Sequence, residues 1–176
     1  MNTIFGNFDV SEFWDNTNYA NREYVGQPVT KEMLTMVETK LGYKLPSTYI
    51  ELLRNQNGGT PKKRNHRTSK PTSWSKDHIA ITGIYGADRS KRSSLCGKFG
   101  CQFMTEQWGY PPIGIYFSDC PSAGHDMLCL DYQACGPLGE PKVVHVDQEW
   151  DYSITSVADN FEQFIRGLQS EATFHQ

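Results

Sequence analysis

The sequence lacks any long hydrophobic run: no stretch approaches the ~18 consecutive apolar residues that cross a bilayer. Its first residues, MNTIFGNFDVSEFW, contain no basic stretch and reach Asp9 and Glu12 before any long apolar run, unlike a secretory signal. The sequence therefore predicts a protein that is not inserted in a membrane and that resides in the cytoplasm.

Cysteine is also scarce, and its spacing excludes the common cysteine frameworks. The count of five is odd and no Cys-x-x-Cys pair occurs, which argues against a disulfide scaffold in a chain of 176 residues. We expect reduced thiols, which suit a cytoplasmic protein. The cysteines are Cys96, Cys101, Cys120, Cys129 and Cys135.

Recognisable catalytic motifs are missing as well. The sequence has no Gly-x-Ser-x-Gly, no phosphate-binding loop and no His-Glu-x-x-His. His125-Asp126 resembles a metal-hydrolase dyad, but it stands in a glycine-containing turn without the further ligands such a site needs. We expect a protein that is not an enzyme and that uses no cofactor.

The cysteines and histidines of the last third are candidate ligands for a zinc ion. Structural zinc normally shows pairs of ligands two to five residues apart, and only the gap between Cys120 and His125 fits. Cys129 alternates with leucines and is more simply a small buried residue, while Cys135 and His145 lie further along the chain. We therefore expect no bound metal.

Charge is distributed unevenly along the chain. Its formal net charge is only −3. Residues 60–109 nevertheless hold ten Lys or Arg against three Asp or Glu, whereas residues 110–162 hold one against nine. The middle is therefore basic and the last third acidic, a separation that favours an electrostatic role in recognition.

Two helices are predicted in the first third. Thr30 can cap a helix over Lys31 to Leu41, which Gly42 ends. A second helix begins after Pro46 and ends at Asn57-Gly58-Gly59, and the two form a hairpin. A short helix is also predicted near Ser11 to Asp15.

Strands dominate the remainder. The first candidate is His78 to Ile84, and three more follow close together, joined by Gly-, Pro- and Asp-containing turns that favour an antiparallel meander: Ile113 to Phe117, Met127 to Asp131 and Val143 to Val146. Ser156 is predicted to cap a closing helix. This order predicts one α+β domain over residues 1–176.

A basic segment interrupts this pattern at about residues 60–76, with the sequence TPKKRNHRTSKPTSWSK. It has almost no aliphatic residue to bury, so we expect a mobile loop. Its Lys and Arg residues could contact nucleic-acid phosphates, but a solvated insertion is the simpler interpretation. The segment could also fold on a partner or screen acidic residues of the same molecule.

The chain resembles the SUKH superfamily, specifically its Smi/Knr branch. The resemblance rests on four blocks in the family's order: LGYKLPSTYIELLRNQNGG, IGIYFSDC, GHDMLCLDY and PKVVHVDQEWDYSITSVADNFEQFIRGL. It implies an antiparallel sheet of four to six strands with helices packed against it and no enzymatic activity. It also implies either a bacterial immunity protein that neutralises a toxin, often a nuclease, or a fungal regulator of cell wall assembly.

The residues left to explain function are acidic and aromatic and stand at or beyond predicted strand ends. A cationic partner would favour such a surface, because complementary charge speeds encounter, and Trp and Tyr are frequent interface anchors. The alternative is that the acidic residues are ordinary turn residues and the rings core residues. The predicted partner-binding set is Asp119, Asp126, Asp131, Asp147, Glu149, Trp150, Asp151 and Tyr152.

The sequence thus favours a protein-binding domain, in the first place an immunity protein that binds a toxin. A regulatory scaffold in cell wall or stress signalling is the first alternative. A nucleic-acid-binding module that uses the basic segment is the second, and the weaker one.

Overall fold

The computed structural model describes residues 2–175, in which a first group of three helices is followed mainly by strands. The helices are α1 (Asn18–Glu23), α2 (Lys31–Leu41), α3 (Ser47–Asn55), α4 (Cys101–Glu106) and α5 (Phe161–Arg166). The strands are β1 (Thr3–Ile4), β2 (Phe8–Asp9), β3 (Asn65–Arg67), β4 (His78–Ala80), β5 (Gly83–Ile84), β6 (Gly114–Asp119), β7 (Asp126–Asp131), β8 (Lys142–Asp147) and β9 (Ser153–Ala158). Two single-turn 3₁₀ helices cover Gln148–Trp150 and Glu171–Phe174.

Helix α2 has the bounds predicted from the sequence. The Thr30 hydroxyl accepts a hydrogen bond from the Met33 backbone N–H at 3.2 Å, which satisfies one of the free donors at the helix start. Gly42 ends the helix in the left-handed conformation, with φ of 82°. The second predicted helix, α3, follows Pro46 directly and buries Tyr49, Leu52 and Leu53.

A five-stranded antiparallel sheet in the order β5-β6-β7-β8-β9 forms the centre of the fold. The three predicted strands of the last third are present as β6, β7 and β8, and consecutive strands pair as a meander. The α+β class and the size of the sheet are confirmed.

Both faces of this sheet are covered. Tyr116 and Phe117 are neighbours on β6, at a shift in the β6–β7 register, and they pack against different elements. The Phe117 ring packs against Tyr49 of α3 and Phe161 of α5, at centroid distances of 5.9 and 5.6 Å. Tyr116 packs at 5.2 Å against Tyr110, which follows α4. Every residue of β7 is therefore buried.

The predicted start of the closing helix is wrong. Residues 153–158 form β9, paired with β8, and α5 starts only after Asn160, whose side chain accepts a hydrogen bond from Gln163 N–H at 2.9 Å. The Ser156 cap was inferred from a local pattern, whereas pairing with a distant strand decides the conformation here. In β9, Thr155 is buried and Ser156 is exposed, the alternation of a strand.

Three other predictions are corrected. Residues 11–15 contain no helix, and the nearby helix is α1, capped by Thr17. The strand predicted from His78 to Ile84 divides into β4 and β5, which pair with different partners. The basic segment contains β3, whose backbone pairs with β4, and it buries Thr68 and Thr72, so it is an ordered part of the fold.

Candidate functional site

Three loops meet at one end of the central sheet, the end where β6 and β8 finish and β7 begins. They are residues 120–125, the turn at 148–152, and Ser73 with Trp74 from the basic segment. The Gln148 backbone N–H donates to the His125 carbonyl at 3.0 Å, which joins the first two loops. We call this surface the sheet-end face.

The basic segment is joined to the same face through a buried carboxylate. Ser73 donates to Asp147 twice, from its backbone N–H at 2.8 Å and from its hydroxyl at 2.7 Å. Asp147 is only 1% exposed, so its charge is turned inward and holds Ser73 in place. The predicted partner residue Asp147 is therefore structural support for the face.

Asp126 is also buried, with 3% of its surface exposed, and its side chain contacts β8. Its Oδ2 lies 2.7 Å from His145 Nε2, and His145 has no exposed surface. Within residues 2–175, Asp126 Oδ1 and His145 Nδ1 have no hydrogen-bond partner. Breaking this buried pair would leave an uncompensated polar group in the core.

Asp131 lies away from the sheet-end face. It occupies the last position of β7, opposite Gly114 and Lys142, at the other end of the sheet. It is buried, and its Oδ1 accepts a hydrogen bond from Gln133 N–H at 2.9 Å, as turn aspartates commonly do. The structure does not bring Asp131 together with the other predicted residues.

Cys120 completes a buried trio with Asp126 and His145. One ligand atom from each lies within 4.8 Å of the others, and thiolate, carboxylate and imidazole are all groups that bind zinc. Burial, followed by the charges of Asp126 and Asp119, raises the pKa of the Cys120 thiol well above its usual range. The thiol is therefore protonated at neutral pH, which disfavours a thiolate nucleophile.

The turn at 148–152 carries the exposed part of the predicted set. Glu149, Trp150 and Asp151 are exposed, and Tyr152 is half-buried. Asp151 and Tyr152 adopt the left-handed conformation, with φ of 55° and 59°, which costs energy for residues other than glycine. The Tyr152 hydroxyl donates to the Trp108 carbonyl and holds the strained turn in place.

A groove of about 430 Å³ opens beside this turn. Trp74 and Trp150, which are 43% and 50% exposed, both line it. Glu149 Oε1 lies 2.6 Å from His125 Nδ1 at its edge. We call it the tryptophan groove; its lining is Ser73, Trp74, Ser122, His125, Asp126, Glu149 and Trp150.

A second concave site, also of about 430 Å³, surrounds Asp119. Tyr24 donates its hydroxyl to this carboxylate, at 2.7 Å from Oδ2, and Gly83 N–H lies 3.2 Å from Oδ1. A Cβ at Gly83 would lie 2.2 Å from the Tyr24 ring, so glycine is required for this approach. Burial raises the pKa of Asp119 to about 6 despite these hydrogen bonds. We call this site the aromatic cleft; its lining includes Tyr19, Glu23, Tyr85, Arg92, Phe99, Phe103, Trp108 and Asp119.

A family model described as SUKH_6, SMI1-KNR4 cell-wall, matches residues 31–165. The chain belongs to this family. No curated protein matches the chain.

The SMI1-KNR4 match runs from the start of α2 into α5 and includes all five strands of the central sheet. It also includes both concave sites except for the contribution of α1 and the residues beside it. Among residues 2–175, none of the helices combines the length and the apolar character needed to cross a bilayer.

Sequence reasoning missed several residues of these sites. Trp74 does have a signal in the sequence, because a single tryptophan among the polar residues of the basic segment is a sign of an exposed aromatic ring. Ser73, Tyr24 and Arg92 carried no recognisable signal, because their roles depend on contacts between segments more than 60 residues apart in the chain.

Proposed function

We propose that this SMI1-KNR4 family member is a non-catalytic protein-binding domain that acts as an immunity protein and neutralises a bacterial toxin by binding it. Family membership supports the class of role. The proposal includes a cytoplasmic location, where the toxin would otherwise act, and the five free cysteines accord with a reducing compartment.

The observation that carries the proposal is the tryptophan groove. Two large aromatic side chains, Trp74 and Trp150, stand exposed on separate loops beside one concavity. Tryptophan is strongly enriched among the residues that dominate binding energy at interfaces. Large apolar side chains exposed together at one surface indicate an interaction site more strongly than scattered ones do.

The charge beside the groove favours a basic partner. Glu149 and Asp151 are exposed on the 148–152 turn, and each would meet solvent in the free protein. Exposed acidic side chains attract a cationic protein during diffusion and fix its orientation. Their location beside the two tryptophans gives the partner both an apolar anchor and a charge to recognise.

The basic segment gives less support to nucleic-acid binding. Lys62 pairs with Glu12 at 2.7 Å, and Arg64 pairs with Asp15 at 2.6 Å. These contacts neutralise part of the positive charge that phosphates would require. The regulatory alternative rests on the family description, which names the cell wall.

Co-expression with the toxin domain encoded by a neighbouring gene tests the proposal. We expect rescue of growth and a complex that survives gel filtration. Trp150→Ala should weaken the complex by roughly tenfold or more, the scale of an interface anchor. Growth arrest despite expression of both proteins, with no complex, would refute the immunity role.

A matched control is available at the opposite end of the sheet. Leu138 is 79% exposed in the connection between β7 and β8, far from the tryptophan groove. Leu138→Ala removes a comparable exposed apolar side chain and should leave the complex unchanged. An equal loss in both variants would show that the effect is general and that the groove is not the binding site.

A further inference from the structure

We propose that the aromatic cleft binds the guanidinium group of an arginine side chain carried by the partner protein. That this arginine belongs to the partner protein rests on the proposed function. The ability of the cleft to bind a guanidinium group does not depend on that function. The cleft lies on the other side of the 120–125 loop from the tryptophan groove, so one partner could occupy both.

The walls of the cleft supply aromatic rings. Tyr19 and Phe99 lie at its exposed edge, while Tyr85 is buried deeper. One face of each exposed ring already meets a cation of the protein, Arg22 over Tyr19 at 5.6 Å and Lys98 over Phe99 at 5.4 Å, so the opposite faces are the ones left for a ligand. Phe99 and Phe103 pack edge to face at 5.4 Å, and Trp108 contributes an indole. Aromatic faces attract cations, and a planar guanidinium stacks on them better than an ammonium group does.

Asp119 supplies a carboxylate that no cation of the protein neutralises. Within residues 2–175 it forms no ion pair. Its two oxygens can accept about four hydrogen bonds, and the donors that they meet are Tyr24 O–H, Gly83 N–H and the residue's own backbone N–H. Acceptor capacity therefore remains for an incoming N–H donor.

The other charged groups of the cleft already satisfy one another. Glu23 is 8% exposed and accepts from Arg92 at both oxygens, at 2.5 and 3.2 Å. Arg22 adds a third contact to the same carboxylate at 3.2 Å. Arg92 is thereby held by Glu23, and Asp119 is left as the unpaired charge of the cleft.

Several ionisable groups influence Asp119, and together with burial they make its negative charge unfavourable. Burial is the main cause of its raised pKa, and the negative charge of Asp126 acts in the same direction. The positive charge of a bound guanidinium would offset both the cost of burial and the repulsion from Asp126. The ionisable groups around Asp119, from all elements packed against it, are Tyr19, Glu23, Tyr24, Tyr85, Arg92, Cys120 and Asp126.

Titration with N-acetyl-arginine methylamide, followed by NMR of the full chain, tests the proposal. We expect saturable shifts of the Trp108 indole N–H signal. The citrulline analogue has nearly the same shape and no charge, so it should bind at least roughly tenfold more weakly. Equal binding of the two probes, or no shift at Trp108, would overturn the proposal.

Two variants assign the binding to this cleft. Asp119→Asn removes the charge and should reduce the arginine affinity by roughly tenfold or more. Phe99→Ala removes an exposed wall and should reduce it by a smaller factor, without touching the Tyr24–Asp119 contact. Asp159→Asn, an exposed carboxylate before α5, is the control and should change nothing. Unchanged affinity in both cleft variants would contradict the proposal.

The result of the arginine titration does not depend on the result of the co-expression with the toxin. A toxin complex that forms while arginine does not bind would refute the cleft's role and leave the immunity proposal intact. Arginine binding at Asp119 without any toxin complex would refute the immunity role and leave the chemistry of the cleft intact.

Discussion

Acidic residues of the last third look alike in the sequence but differ sharply in the structure. Asp126 is buried against His145, whereas Glu149 is exposed on the 148–152 turn. Both follow the same pattern of an acidic residue at a strand end. The difference comes from the Asp126–His145 contact, which joins two strands, so the local sequence carries no sign of it.

Replacing Asp126 tests this difference. Asp126→Ala should lower the free energy of unfolding by about 3–5 kcal/mol, because it removes one member of a buried pair and leaves His145 without its partner. Chemical denaturation measures the change. Glu149→Ala is the matched control and should change stability by less than about 1 kcal/mol. Similar small losses in both variants would mean that the buried pair contributes little.

Asp119 gives a pH-dependent prediction. Its pKa in the folded protein is raised to about 6, above that of an unfolded aspartate, so the folded state binds more protons between roughly pH 4 and 6. The contribution of this group to stability is therefore present below that range and is lost as the pH rises through 6. Asp119→Asn should be at least as stable as the natural protein at pH 7.

Unfolding curves measured from pH 4 to pH 7 check this sign. The stability advantage of the Asn variant should shrink as the pH falls, since the natural side chain is then protonated as well. An advantage that grew toward pH 4 would contradict the assignment. The same titration predicts that arginine binding weakens by roughly tenfold between pH 7 and pH 5.

Among the elements, predictability follows the range of the interactions involved. Helix α2 was predicted with its correct bounds, because its cap, its buried stripe and its terminal glycine all lie within 13 residues. Strand β9 was mistaken for the start of a helix, because only pairing with β8 defines it. The four-residue spacing from Val157 to Phe161 fits a helical stripe without forming one.

The basic segment is the element for which the sequence prediction and the structure differ most. Its composition predicts a mobile loop, yet its backbone pairs with β4, and Ser73 fastens it to Asp147. A segment poor in apolar residues can be ordered when hydrogen bonds to buried groups replace apolar burial. Such bonds are invisible to an argument from composition.

Removal of the Ser73 hydroxyl tests this attachment. Ser73→Ala should destabilise the protein by about 1–3 kcal/mol, because Asp147 loses a hydrogen bond while it stays buried. Hydrogen exchange of the backbone at residues 68–76 should accelerate, while exchange within β7 should not. Ser156→Ala, at an exposed position of β9, serves as the control. Unchanged exchange at 68–76 would show that the remaining contacts suffice.

For the whole molecule, the charge separation seen in the sequence survives folding only in part. Asp126, Asp131 and Asp147 are buried, and the exposed acidic residues of this part of the chain are Glu140, Glu149, Asp151 and Asp159, two of them in the 148–152 turn. The family and the fold class could be predicted from the sequence, since they depend on the order of apolar blocks. The shape of the sheet-end face could not, because it requires three separate loops to meet.

Salt dependence is the prediction at this scale. If exposed Glu149 and Asp151 steer a basic partner, the association rate should fall as ionic strength rises, whereas the dissociation rate should change little. Stopped-flow mixing at several salt concentrations measures both rates. Glu149→Lys should reduce the association rate and its salt dependence, and Asp159→Lys should not. An association rate independent of salt would contradict electrostatic steering.

The coverage of both sheet faces has a consequence for how this fold diversifies. Because every residue of β7 is enclosed, substitutions in the sheet disturb packing, and variation is tolerated chiefly at the loops. The 148–152 turn can exchange its exposed side chains at Glu149 and Trp150 so long as Tyr152 keeps its bond to Trp108, whereas the left-handed backbone at Asp151 restricts substitution there. A change in what this surface binds would therefore need substitutions at a few loop positions only, while the framework stays fixed.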